Sequence, residues 1–300
     1  MTTTTHLPAV AVIGAGMMGA TLARLLLDGG YTVTVWNRTT EKTVSLVAAG
    51  AHAAADPARA IQQAEIVVVC VHDYQATMEI FNYPGVSAAL DGKLIIQLTS
   101  GSPQEAAGIE SWSHQQGAQY IDGAIQAGPS QMGRPDTPIL VSGAATAYER
   151  ALPLLQAFGG GLSWLGEKVS LAAAMDLATL SYIYGTTLGF FHGIRVVESA
   201  GLPVDHFGEL VAGIAPSFGE FLQHQGNVVH SGDYSISQSP LSISVDAVER
   251  ILQQAREAGI NDEFPRYAAS LFRRAAAAGY NNQEVAAVVK VLRSESLQSQ

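Results

Sequence analysis

Short apolar runs alternate with amphipathic segments along the first half of the chain. The pattern predicts strands at 9–13, 32–36, 66–71, 94–98, 120–122 and 139–142, and helices at 21–27, 41–49, 103–116 and 147–158. The run 66–71 is apolar at every position, which is expected of a strand whose two faces are both covered by helices. The alternation therefore predicts an α/β fold built on a doubly wound parallel sheet.

The second half of the chain lacks this alternation. Beyond about Lys168 no convincing strand is found, and helical patterns occupy 204–223, 242–258, 265–278 and 283–292. Three consecutive glycines at 159–161 break the alternating pattern shortly before this change. We therefore predict a sheet-based domain at 1–165 and an all-helical domain at 166–300, with the boundary near Gly166.

A long, nearly uncharged segment at 166–200 opens the helical domain. Residues 177–194 contain no Asp, Glu, Lys or Arg, which is typical of a membrane span. Threonine, serine and histidine side chains and three glycines lie within it, however, and no basic cluster flanks it. A helix of thirty residues is about 45 Å long, more than a small domain needs. We predict an interdomain helix that is buried in a dimer and does not enter a membrane.

Composition narrows the function classes. The 300 residues are 48% hydrophobic and carry a net charge of −10, which argues against a nucleic-acid surface because phosphate binding needs a basic field. The single cysteine, Cys70, excludes an intramolecular disulfide, and its place in an apolar strand predicts a buried, inert thiol.

The start, Met1 to His6, lacks the pattern of a secretory signal, so we expect a cytoplasmic protein. Without metal-ligand spacing among the eight histidines or a Gly-x-Ser-x-Gly elbow, we predict neither a metal site nor a serine hydrolase.

A glycine-rich turn follows the first predicted strand. It reads Gly14-Ala15-Gly16-Met17-Met18-Gly19 and leads into the helix predicted at 21–27, which is the context of a dinucleotide-binding fingerprint. The glycines of such a turn let the backbone approach a pyrophosphate at the N-terminus of the helix. We therefore predict that these six residues bind a dinucleotide cofactor.

The end of the second predicted strand favours NADP over NAD. An NAD enzyme places an acid there to bind the ribose 2′-hydroxyl, whereas this chain has Asn37, Arg38 and Thr39. An arginine at this point can pair with the 2′-phosphate of NADP. Lys42 is either a second positive charge near that phosphate or a solvated residue of the next helix.

A further cofactor contact is predicted at the carboxyl edge of the sheet, where ligands bind in folds of this kind. Val71 ends the apolar run 66–71, and His72 follows it. His72 is either in contact with the cofactor or a solvated loop residue.

An acidic residue interrupts the apolar start of the long helix. Asp176 lies in the run 172–177, and the nearest basic residue, Lys168, is eight positions earlier. Burial without a partner favours the protonated form of a carboxyl group, which can then act as a proton donor. Tyr184 is about 80° around the helix and about 12 Å along it, where its hydroxyl can contact the same substrate. The alternatives are an acid paired with a distant arginine for Asp176 and a core aromatic residue for Tyr184.

The glycine run, the sequence Trp36-Asn37-Arg38-Thr39 and the residues Asp176 and Tyr184 together resemble NADPH-dependent imine reductases and reductive aminases. This family lies within the β-hydroxyacid dehydrogenase superfamily. Further matching stretches, at 98–103, 122–125, 184–193 and 232–234, extend the resemblance over essentially the whole chain. It implies an N-terminal Rossmann domain, a long interdomain helix, and a helical C-terminal domain of the 6-phosphogluconate dehydrogenase type. That helical domain is expected to be exchanged between the two subunits of a homodimer.

The resemblance also implies roles for individual residues. NADPH is the expected cofactor, and the expected substrate is a cyclic imine, or a ketone together with an amine. Asp176 is expected to be the proton donor or the iminium anchor, Tyr184 a hydroxyl that orients the substrate, and Ser100 part of a loop beside the nicotinamide. In the hydroxyacid branch of the superfamily the same helix carries a catalytic lysine, which is replaced here by Asp176. An acid suits a basic imine nitrogen, whereas a lysine suits removal of a hydroxyl proton.

The sequence leaves two other functions open. The chain also departs from the family pattern at several positions. The chain could be a 3-hydroxyacid dehydrogenase with an unusual acid, or a non-catalytic NADPH-binding redox sensor. Relatives usually carry an apolar Met-Ala-Val-Pro sequence where this chain has Gln126-Ala127-Gly128-Pro129. Some reductive aminases have asparagine in place of Ser100 and a tryptophan near Ser217.

Overall fold

The computed structural model describes residues 7–294, so the prediction made for Met1 to His6 lies outside the described residues. Eight strands form one sheet: β1 (Val10–Ile13), β2 (Val33–Trp36), β3 (His52–Ala53), β4 (Ile66–Val69), β5 (Leu94–Gln97), β6 (Gln119–Ile125), β7 (Pro138–Gly143) and β8 (Gly161–Trp164). Their order in the sheet is β3-β2-β1-β4-β5-β6-β7-β8. All neighbouring strands are parallel except β6 and β7.

Helices connect the strands and continue after them. Those of the sheet region are α1 (Met17–Asp28), α2 (Val44–Ala48), α3 (Pro57–Gln62), α4 (Tyr74–Phe81), α5 (Val86–Ala89), α6 (Pro103–Gln115) and α7 (Ala145–Phe158). The later helices are α8 (Ser170–Ser199), α9 (Val204–Ser231), α10 (Leu241–Glu257), α11 (Glu263–Ala277) and α12 (Val288–Ser294). Short 3₁₀ turns lie at Thr40–Thr43, Pro129–Gln131 and Val285–Ala287.

The core lies on both faces of the sheet. Strands β1, β2, β4 and β5 are buried at every position, because helices cover them from both sides. One layer packs Leu22 of α1 and Phe158 of α7 against the sheet, and the opposite layer packs Ile61 of α3 and Phe81 of α4. The predicted doubly wound α/β fold is confirmed.

Three details of the sheet differ from the predicted pattern, and the first is the short strand β3, which was not predicted. Strand β7 runs antiparallel to β6, with Ile125 opposite Ile139. Strand β8 was not expected, because the glycines at 159–161 resemble a break in the pattern. A Cβ atom at Gly160 would lie 2.3 Å from the carbonyl oxygen of Pro135, and one at Gly161 2.7 Å from that of Thr137. These glycines therefore allow the close backbone approach that brings β8 beside β7.

The direction of the connections reverses at β1, which lies between β2 and β4. In an open parallel sheet the carboxyl ends of the strands form a crevice at such a switch point, and ligands bind there. The glycine turn after β1, the residues after β2 and the residues after β4 all lie at this edge.

The contacts divide the chain into two compact units between Ser181 and Tyr182, within α8. In the first unit the start of α8 is buried at Ser170, Ala172, Ala173 and Asp176. The second unit holds α9 to α12. No described helix is long and apolar enough to cross a membrane. The domain boundary predicted between 165 and 166 stays a prediction.

Candidate functional site

The glycine turn after β1 has the backbone geometry of a phosphate-binding loop. Gly14 has φ +103°, and a Cβ atom there would lie 2.2 Å from the carbonyl oxygen of Cys70. A Cβ atom at Gly19 would lie 2.1 Å from the carbonyl oxygen of Gly14, so this glycine lets α1 begin against the turn. At Gly16 a Cβ atom would meet nothing within 4 Å. Gly16 thus leaves open space above the backbone, as close approach of a pyrophosphate requires.

The same turn leads into the N-terminus of α1. Gly16 is the residue before the helix, and because it has no side chain it cannot cap the first N–H groups of the helix. The N–H groups of the first turn of a helix have no intrahelical partner, and they carry the positive end of the helix dipole. Together with the open space at Gly16, they can bind an anionic group.

A cavity of about 800 Å³ lies along this edge of the sheet. Its wall contains most of the residues predicted to bind the cofactor: Gly14, Gly16, Met17, Met18, Gly19, Asn37, Arg38, Thr39, Lys42, Val71 and His72. The predicted residues Ala15 and Ser100 are not part of this wall. Ala15 is buried below the turn, and Ser100 is exposed after β5.

One part of the cavity wall was not predicted from the sequence. Trp36, Ala54, Ala55, Ile80 and Tyr83 line it, and the rings of Trp36 and Tyr83 lie 6.2 Å apart. These mainly apolar side chains come from β2, α4 and adjacent segments. They can contact the flat face of a base, whereas a fingerprint search finds only residues near the phosphates.

Positive charge is available at the phosphate end of the cavity. The side chains of Arg38 and Lys42 are exposed, and within residues 7–294 neither forms an ion pair with a carboxylate. On a chain of net charge −10 the cofactor phosphates must be neutralised locally. These residues fit a 2′-phosphate.

Asn37 joins the glycine turn to the loop that carries Arg38. Its Oδ1 accepts a hydrogen bond from the N–H of Ala15 at 2.9 Å, and its Nδ2 donates to the carbonyl oxygen of Thr39 at 2.8 Å. The Asn37 side chain therefore links two segments that border the cavity, the glycine turn and the loop after β2.

Cys70 lines the cavity and is partly buried, not fully as predicted. Burial raises the pKa of its thiol to about 11, so the thiol is protonated at neutral pH. This fits the inert thiol that the sequence predicts.

The acid of the long helix is buried and has an amide partner. Asp176 is 4% exposed, and its Oδ1 accepts a hydrogen bond from Nε2 of Gln126 at 2.6 Å. Its Oδ2 is buried without a hydrogen-bond partner among the described residues. The alternative of a distant arginine partner is therefore not what the structure shows. Sequence reasoning noted Gln126 only as a departure from the family pattern and missed this contact.

A second buried acid lies near Asp176. Asp122 of β6 accepts hydrogen bonds from the hydroxyl groups of Tyr74 and Tyr120, the latter at 3.1 Å. Burial raises the pKa of Asp122 to about 7, against the lowering effect of the two tyrosine hydroxyls, and the charges of Asp176 and Glu110 raise it further. A carboxyl residue inside an apolar strand is the sequence signal that could have identified this cluster.

Tyr184 belongs to the second compact unit, where its side chain is 65% exposed. Tyr184 is therefore not buried in the core of the single chain. A core position was the alternative to a role at the substrate. Among residues 7–294 no group of three or more His, Cys, Asp or Glu side chains is placed to hold a metal ion.

Comparison with known proteins agrees with this geometry. Residues 9–166 match the family model of the NAD binding domain of 6-phosphogluconate dehydrogenase, and residues 169–294 match that of the C-terminal domain of NADPH-dependent reductive aminase-like proteins. The NADPH-dependent reductive aminase of Aspergillus oryzae is 26% identical over 284 residues, which cover 94% of this chain and 96% of that protein.

Solved structures give the same result. An imine reductase from Myxococcus stipitatus in complex with NADP⁺ superposes with a TM-score of 0.91 at 32% identity, covering 95% of this chain and all of that one (100%). A reductive aminase from Aspergillus terreus, solved with NADPH4, cyclohexanone and allyl amine, has a TM-score of 0.88 at 30% identity, with 96% and 100% coverage. The chain therefore belongs to the imine reductase and reductive aminase family of NADPH-dependent oxidoreductases, within the β-hydroxyacid dehydrogenase superfamily.

Proposed function

We propose that this protein reduces the C=N bond of a cyclic imine or iminium to the amine, with Asp176 acting at the nitrogen. The observation that carries the proposal is the state of this carboxyl group. It is buried, it is paired with an amide and not with a cation, and its Oδ2 lacks a partner among the described residues. A substrate nitrogen can supply the missing partner.

Charge favours the imine branch of the superfamily over the hydroxyacid branch. An imine nitrogen is basic, so a carboxylic acid can protonate it, and an iminium is a cation that a carboxylate stabilises. The charge of Asp176 raises the pKa of the neighbouring acid Asp122, so a further negative charge is disfavoured beside Asp176. A 3-hydroxy acid carries a negative charge, which the carboxylate of Asp176 disfavours.

The residues around the cavity would hold the cofactor. The backbone N–H groups that follow Gly16 would bind the pyrophosphate, and Arg38 and Lys42 would bind the 2′-phosphate. When bound, NADPH supplies the hydride that is transferred to the imine carbon. Val71, His72 and Ser100, at the carboxyl edge of β4 and β5, would lie towards the nicotinamide. Tyr184 would orient the substrate through its hydroxyl.

Reductive amination, in which a ketone and an amine are joined before reduction, is a second candidate activity. The Aspergillus terreus relative was solved with both kinds of partner bound. Amine consumption from a mixture of ketone, amine and NADPH would identify it here.

A homodimer with exchanged helical domains is part of the proposal. In the second unit large apolar side chains of α8 and α9 are exposed in the single chain: Ile183, Leu188, Phe191, Leu210, Ile214 and Phe218. Exposed apolar side chains that cluster on a surface mark sites of protein–protein interaction. Ile214→Glu should yield a monomer by light scattering, whereas Ile251→Glu on α10, which replaces an isoleucine that is 43% exposed against 52% for Ile214, should stay dimeric. A monomeric wild-type protein would contradict the dimer.

The reaction is tested by NADPH oxidation with a pyrroline, run beside NADP reduction with a 3-hydroxy acid. We expect turnover of the imine and a loss of about 100-fold or more in kcat for Asp176→Asn and Asp176→Ala. NADPH binding, measured by its fluorescence, should be unchanged in both variants. Asp28→Asn, at the exposed end of α1, is the matched control. Turnover of the hydroxy acid alone, or full imine turnover in both variants, would overturn the assignment.

A further inference from the structure

Gln126 and Asp176 are separated by 50 positions in the chain, yet their side chains meet in the first compact unit. The amide Nε2 of Gln126 lies 2.6 Å from Oδ1 of Asp176. A carboxylate only accepts hydrogen bonds, so the amide nitrogen is the atom that must face it. The bond is therefore a donor contact from the end of β6 to the buried face of α8.

Both ends of this contact are held by β7. The backbone N–H of Gln126 donates to the carbonyl oxygen of Pro138 at 3.0 Å, which continues the pairing of β6 with β7. On the other side, Ser142 of β7 donates through Oγ to the carbonyl oxygen of Val169 at 2.6 Å and accepts from the N–H of Ala172 at 2.9 Å. The start of α8 and the end of β6 are thus anchored to the same strand. These bonds to β7 hold the backbone at Gln126 and at the start of α8, so the amide and the carboxyl group are kept opposite each other.

The contact distinguishes the two oxygen atoms of Asp176. A donor on Oδ1 stabilises negative charge on that oxygen, which favours Oδ2 as the oxygen that carries or shares a proton. That atom is buried and has no hydrogen-bond partner within residues 7–294. Buried polar atoms are nearly always paired, which makes Oδ2 the atom that awaits a partner from outside the protein.

We propose that Gln126 is the positioning residue of Asp176: it holds Oδ1 and leaves Oδ2 as the single oxygen that acts on the substrate nitrogen. The inference rests on the proposed function, because it concerns the acid of that reaction.

A double-mutant cycle tests this role through kcat for the pyrroline. Gln126→Met removes the donor at nearly constant side-chain length, and we expect it to lower kcat about tenfold while KM for NADPH stays unchanged. In the Asp176→Asn background the same substitution should change kcat by less than about twofold, because a residue that acts through Asp176 has nothing left to position. The melting temperature of each variant, measured with NADPH bound, reports on folding.

Gln119→Met is the matched control. Gln119 lies at the other end of β6, is similarly half-buried, and accepts a hydrogen bond from Arg150 at 3.0 Å. Its replacement should leave kcat at the wild-type value. Wild-type kcat in Gln126→Met, or losses that multiply in the double variant, would overturn the role of Gln126 while the proposed function stands. A wild-type protein that leaves the pyrroline unreduced, or full turnover in Asp176→Asn, would instead overturn the proposed function and this inference with it.

Discussion

The Oδ1 atom of Asn37 accepts a hydrogen bond from the backbone N–H of Ala15 at 2.9 Å. Through its Nδ2 atom the same side chain donates to the carbonyl oxygen of Thr39 at 2.8 Å. The loop that carries Arg38 is therefore tied to the turn that would bind the pyrophosphate. The two phosphate-binding parts of the site are held at one fixed separation.

Asn37→Asp separates the two functions of this side chain. The new carboxylate can still accept from Ala15, but it cannot donate to Thr39, and it places a negative charge beside the 2′-phosphate. We expect the Kd for NADPH to rise about 10- to 100-fold and the Kd for NADH to change much less. Fluorescence titration with both cofactors measures this. Equal weakening of both would mean that Asn37 acts only through the fold of the turn.

Arg38→Ala should remove most of the preference for NADPH. A charge-assisted hydrogen bond is worth about 1.5 to 3 kcal/mol, so the NADPH affinity should fall about 10- to 100-fold while the NADH affinity is retained. Arg24→Ala is the control, because Arg24 lies outside the cavity wall and donates to Ser45. Parallel losses for both cofactors would assign Arg38 a structural role.

Gly14 and Gly16 should respond to alanine in opposite ways. At Gly14 the added Cβ would lie 2.2 Å from a carbonyl oxygen at φ +103°, so Gly14→Ala should destabilise the fold by about 2 kcal/mol or more. At Gly16 the Cβ meets nothing within 4 Å, so Gly16→Ala should keep its melting temperature and lose affinity for NADPH. Thermal unfolding with and without NADPH separates the two effects. An unstable Gly16→Ala protein would contradict the open space above that residue.

The buried acid Asp122 should make stability depend on pH. Burial raises its pKa from an ordinary 3.8 to about 7 in the folded protein. Between these values the folded state retains a proton that the unfolded chain has lost. The stabilisation is therefore complete below about pH 4 and is lost as the pH rises to about 7, at up to roughly 1.4 kcal/mol per unit.

Asp122→Asn should flatten this slope, because the amide oxygen can still accept from Tyr74 and Tyr120 but does not titrate. Urea unfolding of both proteins at pH 5 and pH 7.5 measures the difference. Asp122→Leu is expected to be less stable at every pH, since it leaves two buried hydroxyl groups without an acceptor. An unchanged slope in Asp122→Asn would show that another group titrates.

Several features of the protein could be predicted because their signal is local. The strand before Gly14, the glycine turn and the helix after it follow one another in the sequence, and so do Trp36 and Arg38. Apolar runs, glycine spacing and the residue that follows a strand therefore predicted the doubly wound fold and the class of cofactor. Asp176 could be identified in the same way, since an isolated acid in an apolar helix is visible in the sequence alone.

Other features depend on which strands become neighbours. The pair Gln126 and Asp176 and the cluster of Tyr74, Tyr120 and Asp122 join segments far apart in the chain. No periodicity marks such contacts, because they are set by strand register and by the antiparallel return of β7. Strand β8 was hidden for a related reason: its glycines resemble a break unless the backbone that approaches them is known.

The sequence by itself thus determined most of the strands and long helices, the cofactor class and the position of the acid, because each is encoded by neighbouring residues. Only the tertiary structure decided which oxygen of Asp176 is occupied, that Asn37 connects two loops and that burial raises the pKa of Asp122. These properties arise from burial and from hydrogen bonds between distant segments. The burial and these hydrogen bonds form only when the sheet and its helices pack together.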